Sequence, residues 1–152
     1  MAVMVGEGDN TRLVEALNRV LEGEYIALIH YVQHAGSVRG INFQAVSSWL
    51  LHEAARRMDH AVTLTQTILS LGGVPDWDVG RSHRFAAAPD ARDARRLLAH
   101  DLDHERQLGA KYEAAIAAAD ALGEIGIRAL LEGILGSEQQ TMQEIERMTE
   151  TP

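Results

Sequence analysis

Residues 17–35 read LNRVLEGEYIALIHYVQHA and place a glutamate in the middle of an apolar stripe. Val20, Glu24 and Ala27 are spaced by four and three residues, so they share one face of an α-helix. A carboxylate on a face that becomes buried is costly unless it is paired or binds a cation. The stretch therefore predicts a helix over residues 11–37 that carries a functional glutamate into the core.

Three further stretches repeat this pattern of an apolar helical face that contains a glutamate. They predict helices over residues 42–71, 90–119 and 124–149. Four carboxylates that converge in one core indicate a metal site inside a helix bundle. The glutamates on the three further faces are Glu53, Glu105 and Glu138.

The ends of these helices and the connections between them predict their arrangement. The second helix ends at Gly-Gly-Val-Pro, residues 72–75, and Asp90 is the expected N-cap of the third. The first and third connections are short, so each joins antiparallel neighbours. The second connection spans residues 72–89, and its sixteen residues after the glycine pair reach about 50 Å when extended at about 3.3 Å per residue, enough to run along a helix of about 45 Å. The sequence therefore predicts an all-α four-helix bundle in which helices two and three are parallel.

Composition narrows the class of protein. With 152 residues, the chain is long enough to form one domain, residues 1–152, with a core of its own. It has no cysteine, which excludes a disulfide framework, a cysteine-based zinc finger and a thiol nucleophile. The net charge of −8 and the single lysine, Lys111, are unfavourable for binding a nucleic-acid backbone.

The sequence also predicts a location. The first ten residues, MAVMVGEGDN, lack the basic start and the apolar run of a secretory signal. No segment approaches the roughly 18 consecutive apolar residues of a membrane span. We therefore expect a cytoplasmic protein.

Several segments resemble bacterioferritin and Dps. Residues 17–35, residues 56–61 (RRMDHA) and residues 68–75 (ILSLGGVP) are similar to bacterioferritin across most of the four-helix body. Residues 39–46 (RGINFQAV) resemble the start of helix two in Dps, a related mini-ferritin. The resemblance implies a ferritin-like bundle with a long crossover between helices two and three.

The resemblance also implies a set of site residues. Bacterioferritin-type bundles bind two irons through a glutamate from each of two helices and Glu-x-x-His from each of the other two. In this chain Arg57 stands where the family has a glutamate that bridges both ions, and Thr141 stands where it has a histidine. Tyr31 matches a tyrosine beside the site, and the alternative is a core residue that hydrogen-bonds to Glu105. The four retained ligand positions are Glu24, His60, Glu105 and Glu138.

Arg57 is the more serious of the two substitutions. Its guanidinium stays charged in proteins, and its fork of donors matches carboxylates. It can therefore pair with Glu24, Glu105 or Glu138. We expect a ferroxidase site that is impaired or converted to an ion-pair cluster.

Other residues have two interpretations each. Met58 falls where bacterioferritin has the methionine that ligates haem b at a twofold interface, while packing on a helix surface is the alternative. Glu53 can pair with Arg56 or Arg57, which is simpler than a role as a metal ligand. Four histidines can add metal ligands, but they have no partner at a diagnostic spacing and are interpreted as surface or core residues, namely His30, His34, His100 and His104.

The leading functional hypothesis is iron binding, with oxidation and storage of iron in an oligomeric shell and an impaired ferroxidase site. The alternative is a non-catalytic, ferritin-like structural or partner subunit that binds haem at a dimer interface. The resemblance implies a homo-oligomer or a hetero-assembly with a competent ferritin subunit. Because few residues follow the predicted fourth helix, a dimer or a dodecamer-like shell is favoured over the larger cage of bacterioferritin.

Overall fold

A computed structural model describes residues 7–76 and 93–150, which form four α-helices. The predicted helix bounds agree with the structure to within four residues. No helix in these two ranges is long and apolar enough to cross a membrane. The helices are α1 (Glu7–Ser37), α2 (Phe43–Ser70), α3 (Ala94–Ala121) and α4 (Ile125–Thr149).

Helix α1 runs antiparallel to α2. Near the start of α1, the Asn10 side chain donates to the carbonyl of Leu71, just after the end of α2, at 2.6 Å. Near the end of α1, the carbonyl of Ala35 accepts from the hydroxyl of Ser47, early in α2, at 2.9 Å. The order of contacts is therefore reversed along the two helices, as predicted for a short connection.

Helix α1 also runs antiparallel to α3. Tyr31, late in α1, donates to Glu105 in α3. Glu24, seven residues earlier in α1, accepts from Tyr112, seven residues further along α3. Because α2 and α3 both oppose α1, they are parallel to each other. This confirms the predicted long crossover, most of which lies outside the described residues.

Helix α4 returns alongside α3. Arg128 pairs with Asp120 near the turn between the two helices, and Arg106 pairs with Glu146 far from it. The turn contains Gly123, whose φ of 70° is in the left-handed region that favours glycine. These contacts place α4 antiparallel to α3 and complete the bundle.

Local sequence explains the ends of α2 and α3. The amide of Gly73 donates to the carbonyl of Ile68 at 3.0 Å, so the predicted glycine stop after α2 is confirmed. The N-cap of α3 is Asp93, whose carboxylate accepts from the amide of Arg96. The predicted N-cap, Asp90, lies outside the described residues.

The interior consists of two apolar clusters separated by a polar layer. The first cluster lies between the start of α1 and the ends of α2 and α3 and includes Leu13, Leu17, Leu64, Ile68, Leu108, Ala115 and Leu131. The second lies towards the other end of the bundle and includes Ala27, Tyr31, Leu50, Ala54, Leu98, Leu102 and Ile145. On every helix, the residues between the two clusters include a buried charge: Glu24, Arg57, Glu105 or Glu138.

Two glycine substitutions test the helix ends. Gly72 has a φ of 76°, so Gly72→Ala should lower the free energy of unfolding by about 1 kcal/mol, because a side chain disfavours this conformation. Gly36 lies inside α1 with nothing within 4 Å of an added Cβ, so Gly36→Ala should raise it by roughly 0.5–1 kcal/mol. Urea denaturation measures both, and effects of the same sign would contradict the assigned end of α2.

Candidate metal centre

Four carboxylates and one guanidinium form a buried cluster at mid-height in the bundle. We call Glu24, Glu53, Arg57, Glu105 and Glu138 the central cluster, and each of these side chains is at most 1% exposed. The carboxylates come from all four helices, because each helix places its glutamate on the face that packs inward. Charges this deeply buried are stable only when they are paired or bind an ion.

Arg57 contacts every carboxylate of the central cluster. Its Nη2 lies 3.1 Å from Oε2 of Glu53 and 3.4 Å from Oε1 of Glu105. Its Nη1 contacts Oε2 of Glu138 and lies 3.6 Å from Oε2 of Glu24. The guanidinium carbon is 5.5 Å from the centre of the Tyr31 ring. The pairing predicted for Arg57 is therefore present with all three expected partners, and Glu53 is a fourth.

Glu53 and Thr141 hydrogen-bond to each other, and neither belongs to a group of described side chains that could hold a metal ion. The hydroxyl of Thr141 donates to Oε2 of Glu53 at 3.0 Å. Oε1 of Glu53 accepts from Arg56 at 2.8 Å. The ion pairs predicted for Glu53 with Arg56 and Arg57 are both present.

His60 brings two of the carboxylates into a second grouping. Its Nδ1 lies 3.3 Å from Oε1 of Glu24 and 3.0 Å from Oε1 of Glu138. One ligand atom from each of these three residues lies within 4.8 Å of the other two. The contact between Nδ1 of His60 and Oε1 of Glu138 lacks hydrogen-bond geometry, so both atoms are buried without a hydrogen bond among the described residues. Ligands about 2.1 Å from a tetrahedral ion lie about 3.4 Å apart, so this spacing suits one cation.

Glu105 does not belong to that grouping. Its Oε1 accepts from the hydroxyl of Tyr31 at 2.7 Å and faces Arg57. The structure therefore divides the four predicted ligands: Glu24, His60 and Glu138 converge, and the guanidinium of Arg57 lies between Glu138 and Glu105. A pair of ions does not fit these residues, because a permanent positive charge occupies the space beside Glu105.

Burial and neighbouring charges shift the pKa values of individual residues in and around the central cluster. Burial raises the pKa of Glu105 to about 7, although Arg57 and the Tyr31 hydroxyl both act to lower it. Burial alone lowers the pKa of Arg57, but the carboxylates, Glu105 foremost, hold it above its usual value. Burial and the neighbouring Glu24 carboxylate raise the pKa of Tyr112 well above its usual range. Tyr112 is therefore a fixed hydroxyl donor to Glu24.

A bundle with carboxylates from all four helices around one buried point has the architecture of the ferritin-like carboxylate proteins. The family model described as a ferritin-like domain matches residues 14–151. This chain belongs to the ferritin-like domain family. The match confirms the fold that the sequence predicts.

Two curated relatives share sequence with this ferritin-like chain. A "nutrient stress-induced DNA-binding protein" of Synechococcus sp. is 29% identical over 129 residues, which cover 82% of this chain and 73% of the relative. A "bacterial ferritin" of Paramagnetospirillum magnetotacticum is 28% identical over 105 residues, which cover 69% of this chain and 61% of the relative. The predicted resemblance to both branches of the family is therefore confirmed.

A solved structure extends the comparison to three dimensions. A ferritin-like, di-iron-carboxylate protein from Bacillus anthracis strain Ames matches this ferritin-like chain with a TM-score of 0.85 and 29% identity. The match covers 96% of this chain and 100% of that protein. The four-helix arrangement is thus shared over nearly the whole length.

Met58 lies on the outer face of α2 in this ferritin-like bundle. Its side chain is 54% exposed and borders an apolar hollow of about 210 Å³ between α1 and α2. Tyr25, Leu28 and Val62 line the same hollow. The position is compatible with contact between subunits, and haem ligation by Met58 stays a prediction.

Sequence reasoning missed one grouping. His30, His34, His100 and His104 are predicted to be surface or core residues that lack a partner at a diagnostic spacing. In the structure they form one cluster where α1 packs against α3, with neighbouring ring centres 4.8–5.8 Å apart. The signal was present in the sequence, because each helix has two histidines four residues apart and hence on one face. Only the packing of α1 against α3 brings the two faces together.

The variant Glu105→Gln tests the electrostatics of the central cluster in metal-free protein. Folding raises the pKa of Glu105 from 4.5 to about 7. The ionised form therefore opposes folding, fully above pH 7 and hardly at all below pH 4.5. Glutamine stays neutral and its carbonyl can still accept from Tyr31, so the variant should be more stable than the wild type at pH 8, by on the order of 3 kcal/mol.

Urea denaturation between pH 5 and pH 8, in the presence of a chelator, measures this difference. The gain should shrink as the pH falls from 8 to 5, because protonated Glu105 no longer opposes folding. Glu113→Gln, at an exposed position on the same helix, is the matched control. A gain that is the same at both ends of the pH range would refute the assignment.

Proposed function

We propose that this ferritin-like protein is an iron-handling subunit that binds one Fe(II) per chain through Glu24, His60 and Glu138. The observation that carries the proposal is the convergence of these three ligands beside the guanidinium of Arg57. Iron here is cargo for oxidation and storage in an oligomeric shell. The paired-iron oxidation typical of ferroxidases is impaired in this chain.

The charge balance of the cluster supports binding of a cation. The four buried carboxylates carry four negative charges when ionised, and Arg56 and Arg57 offset two of them. A divalent ion near Glu24 and Glu138 would supply the remaining two positive charges. It would also satisfy the buried atoms of His60 and Glu138 that lack hydrogen-bond partners.

The donor set supports iron as the cargo. Two carboxylates and one imidazole, with further positions left for water or oxygen, suit a divalent iron ion. The names of the relatives point the same way, since one is a bacterial ferritin and another a di-iron-carboxylate protein.

The presence of one ion rather than two changes the expected chemistry. Reduction of dioxygen to peroxide takes two electrons, and one Fe(II) supplies a single electron when it becomes Fe(III). Two-metal sites deliver both at once from ions held side by side. In this chain Arg57 occupies the place of the second ion, so oxidation at the centre should be slow.

The second candidate is a structural or partner subunit of a ferritin-like assembly. The contacts of Arg57 with carboxylates from all four helices favour it, because they hold the bundle together without any metal. Association is supported by apolar side chains that are exposed on the outer faces of α1 and α2, namely Ile29, Val32, Leu51, Met58, Val62 and Leu69. A cytoplasmic location stays a prediction for either candidate.

Anaerobic titration of the metal-free protein with Fe(II), followed by calorimetry, tests the leading proposal. We expect about one tight ion per chain in the wild type and none in His60→Ala. The double variant Arg57→Glu with Thr141→His restores the family's six ligand positions, so it should bind two ions and oxidise Fe(II) faster on addition of oxygen. Thr141→His alone should still bind one ion, because Arg57 remains in place.

The controls and adverse outcomes are defined by the same titration. His52→Ala removes an exposed histidine from α2 and should bind iron as the wild type does. Two tight ions in the wild type would show that Arg57 moves out of the centre. No saturable binding, with oxidation no faster than in buffer, would favour the structural or partner subunit.

A further inference from the structure

A second cluster of metal-ligating side chains lies between α1 and α3, about one helical turn from the central cluster. The His30 ring centre is 4.8 Å from that of His100 and 5.4 Å from that of His104. His34 stacks on His30 at 5.8 Å and contacts the buried carboxylate of Asp101. Four imidazoles and a carboxylate in one small region are far more than packing of two helices requires.

We propose that His30, His100 and Asp101 form a second metal site, for a late first-row divalent ion of the zinc class. One ligand atom from each of these residues lies within 4.8 Å of the other two. Tetrahedral zinc ligands lie about 3.4 Å apart, so side-chain movements of about 1 Å bring the three into place. The site shares no residue with Glu24, His60 and Glu138.

The hydrogen bonds around the site fix the roles of the neighbouring histidines. Nδ1 of His34 lies 2.8 Å from Oδ1 and 2.9 Å from Oδ2 of Asp101. Since an ionised carboxylate only accepts, His34 donates through Nδ1–H and orients Asp101. A histidine that positions a carboxylate beside a metal is a common supporting contact in metal sites.

His104 is fixed in a similar way from the other side. Its Nε2 lies 3.0 Å from the carbonyl of Gly23, which can only accept, so Nε2 carries the proton. The neutral ring then has its lone pair on Nδ1. Burial lowers the pKa of His104, which favours this neutral form. His104 is therefore a neutral imidazole beside the site, with its ring centre 5.4 Å from that of His30.

Two buried polar groups at the site call for a positive charge. Asp101 is 2% exposed, and burial raises its pKa although the hydrogen bond from His34 acts to lower it. Nδ1 of His100 is buried without a hydrogen-bond partner among the described residues. A bound divalent ion would compensate the carboxylate and give this nitrogen a partner.

The donor types distinguish this site from the central one. Imidazole nitrogens predominate around His30, whereas carboxylates predominate around Arg57. Imidazole ligands select zinc, copper and nickel over magnesium and calcium, which prefer oxygen. The two sites therefore differ in the ions that they favour, and α1 is the helix that contributes to both, through Glu24 and His30.

Titration of the metal-free protein with Zn²⁺ tests this proposal. Zinc can occupy either site, so we expect about two ions per chain in the wild type and about one in His60→Ala, which lacks the central ligand. Adding His30→Ala and His100→Ala to the His60→Ala protein should weaken the remaining binding by at least about 100-fold. His52→Ala in the same background should leave it unchanged.

Two readouts keep the result interpretable. Co²⁺ in place of Zn²⁺ gives visible absorption that reports nitrogen ligands, and this band should persist in His60→Ala and disappear with the histidine pair. If the buried His30 substitution unfolds the protein, as far-ultraviolet circular dichroism would show, His100→Asn alone should still weaken Zn²⁺ binding. Unchanged affinity in the folded variants, or no zinc binding in His60→Ala, would overturn the proposal without bearing on iron binding at Glu24, His60 and Glu138.

Discussion

The pairing of Arg57 with the buried carboxylates is the interaction on which the rest of the structure depends. The guanidinium is fully buried and lies near carboxylates that come from all four helices. Taking such charges out of water costs several kcal/mol per ion, and only their mutual attraction offsets it. Arg57 cannot be replaced by a neutral residue alone, because its removal leaves four buried carboxylates with only Arg56 to offset them.

An arginine at this place differs from a metal ion in one decisive respect. A metal ion enters, is released and changes its redox state, whereas a guanidinium is covalently attached and stays charged. One half of the family's centre is thereby fixed in a single state. The half that contains His60 keeps three groups that face one another and can still exchange an ion, which is why we place iron there.

Sequence patterns predict most of the fold but only part of the site. The apolar faces predict the helix bounds to within four residues. The periodicity of each helix is strong, and glycine and proline residues mark the connections. The pairing of Arg57 was predictable as well, since a charge on a buried face needs a partner. The N-cap of α3 was not, because Asp90 and Asp93 are equally good caps in sequence and only the structure selects Asp93.

The finer geometry of the site depends on features that sequence does not encode locally. The hydrogen bond from Tyr31 to Glu105 is one of the two interpretations that the sequence offers for Tyr31. That Glu105 also faces Arg57, and does not join Glu24 and His60, depends on side-chain rotamers. The histidine cluster depends on how α1 is rotated and shifted against α3. Each helix shows its own pair of histidines four residues apart, but that these pairs meet is a property of the packed bundle.

The polar layer between the two apolar clusters has a consequence for the assembly of the bundle itself. An all-apolar interior would let one helix slide along its neighbours at little loss, since one leucine replaces another. Here a shift by one turn would carry Glu24 or Glu138 into an apolar cluster and leave Arg57 facing hydrocarbon. A single buried polar position can fix the register of a coiled coil. The central cluster fixes the register of four helices at once, and it does so in the metal-free protein as well.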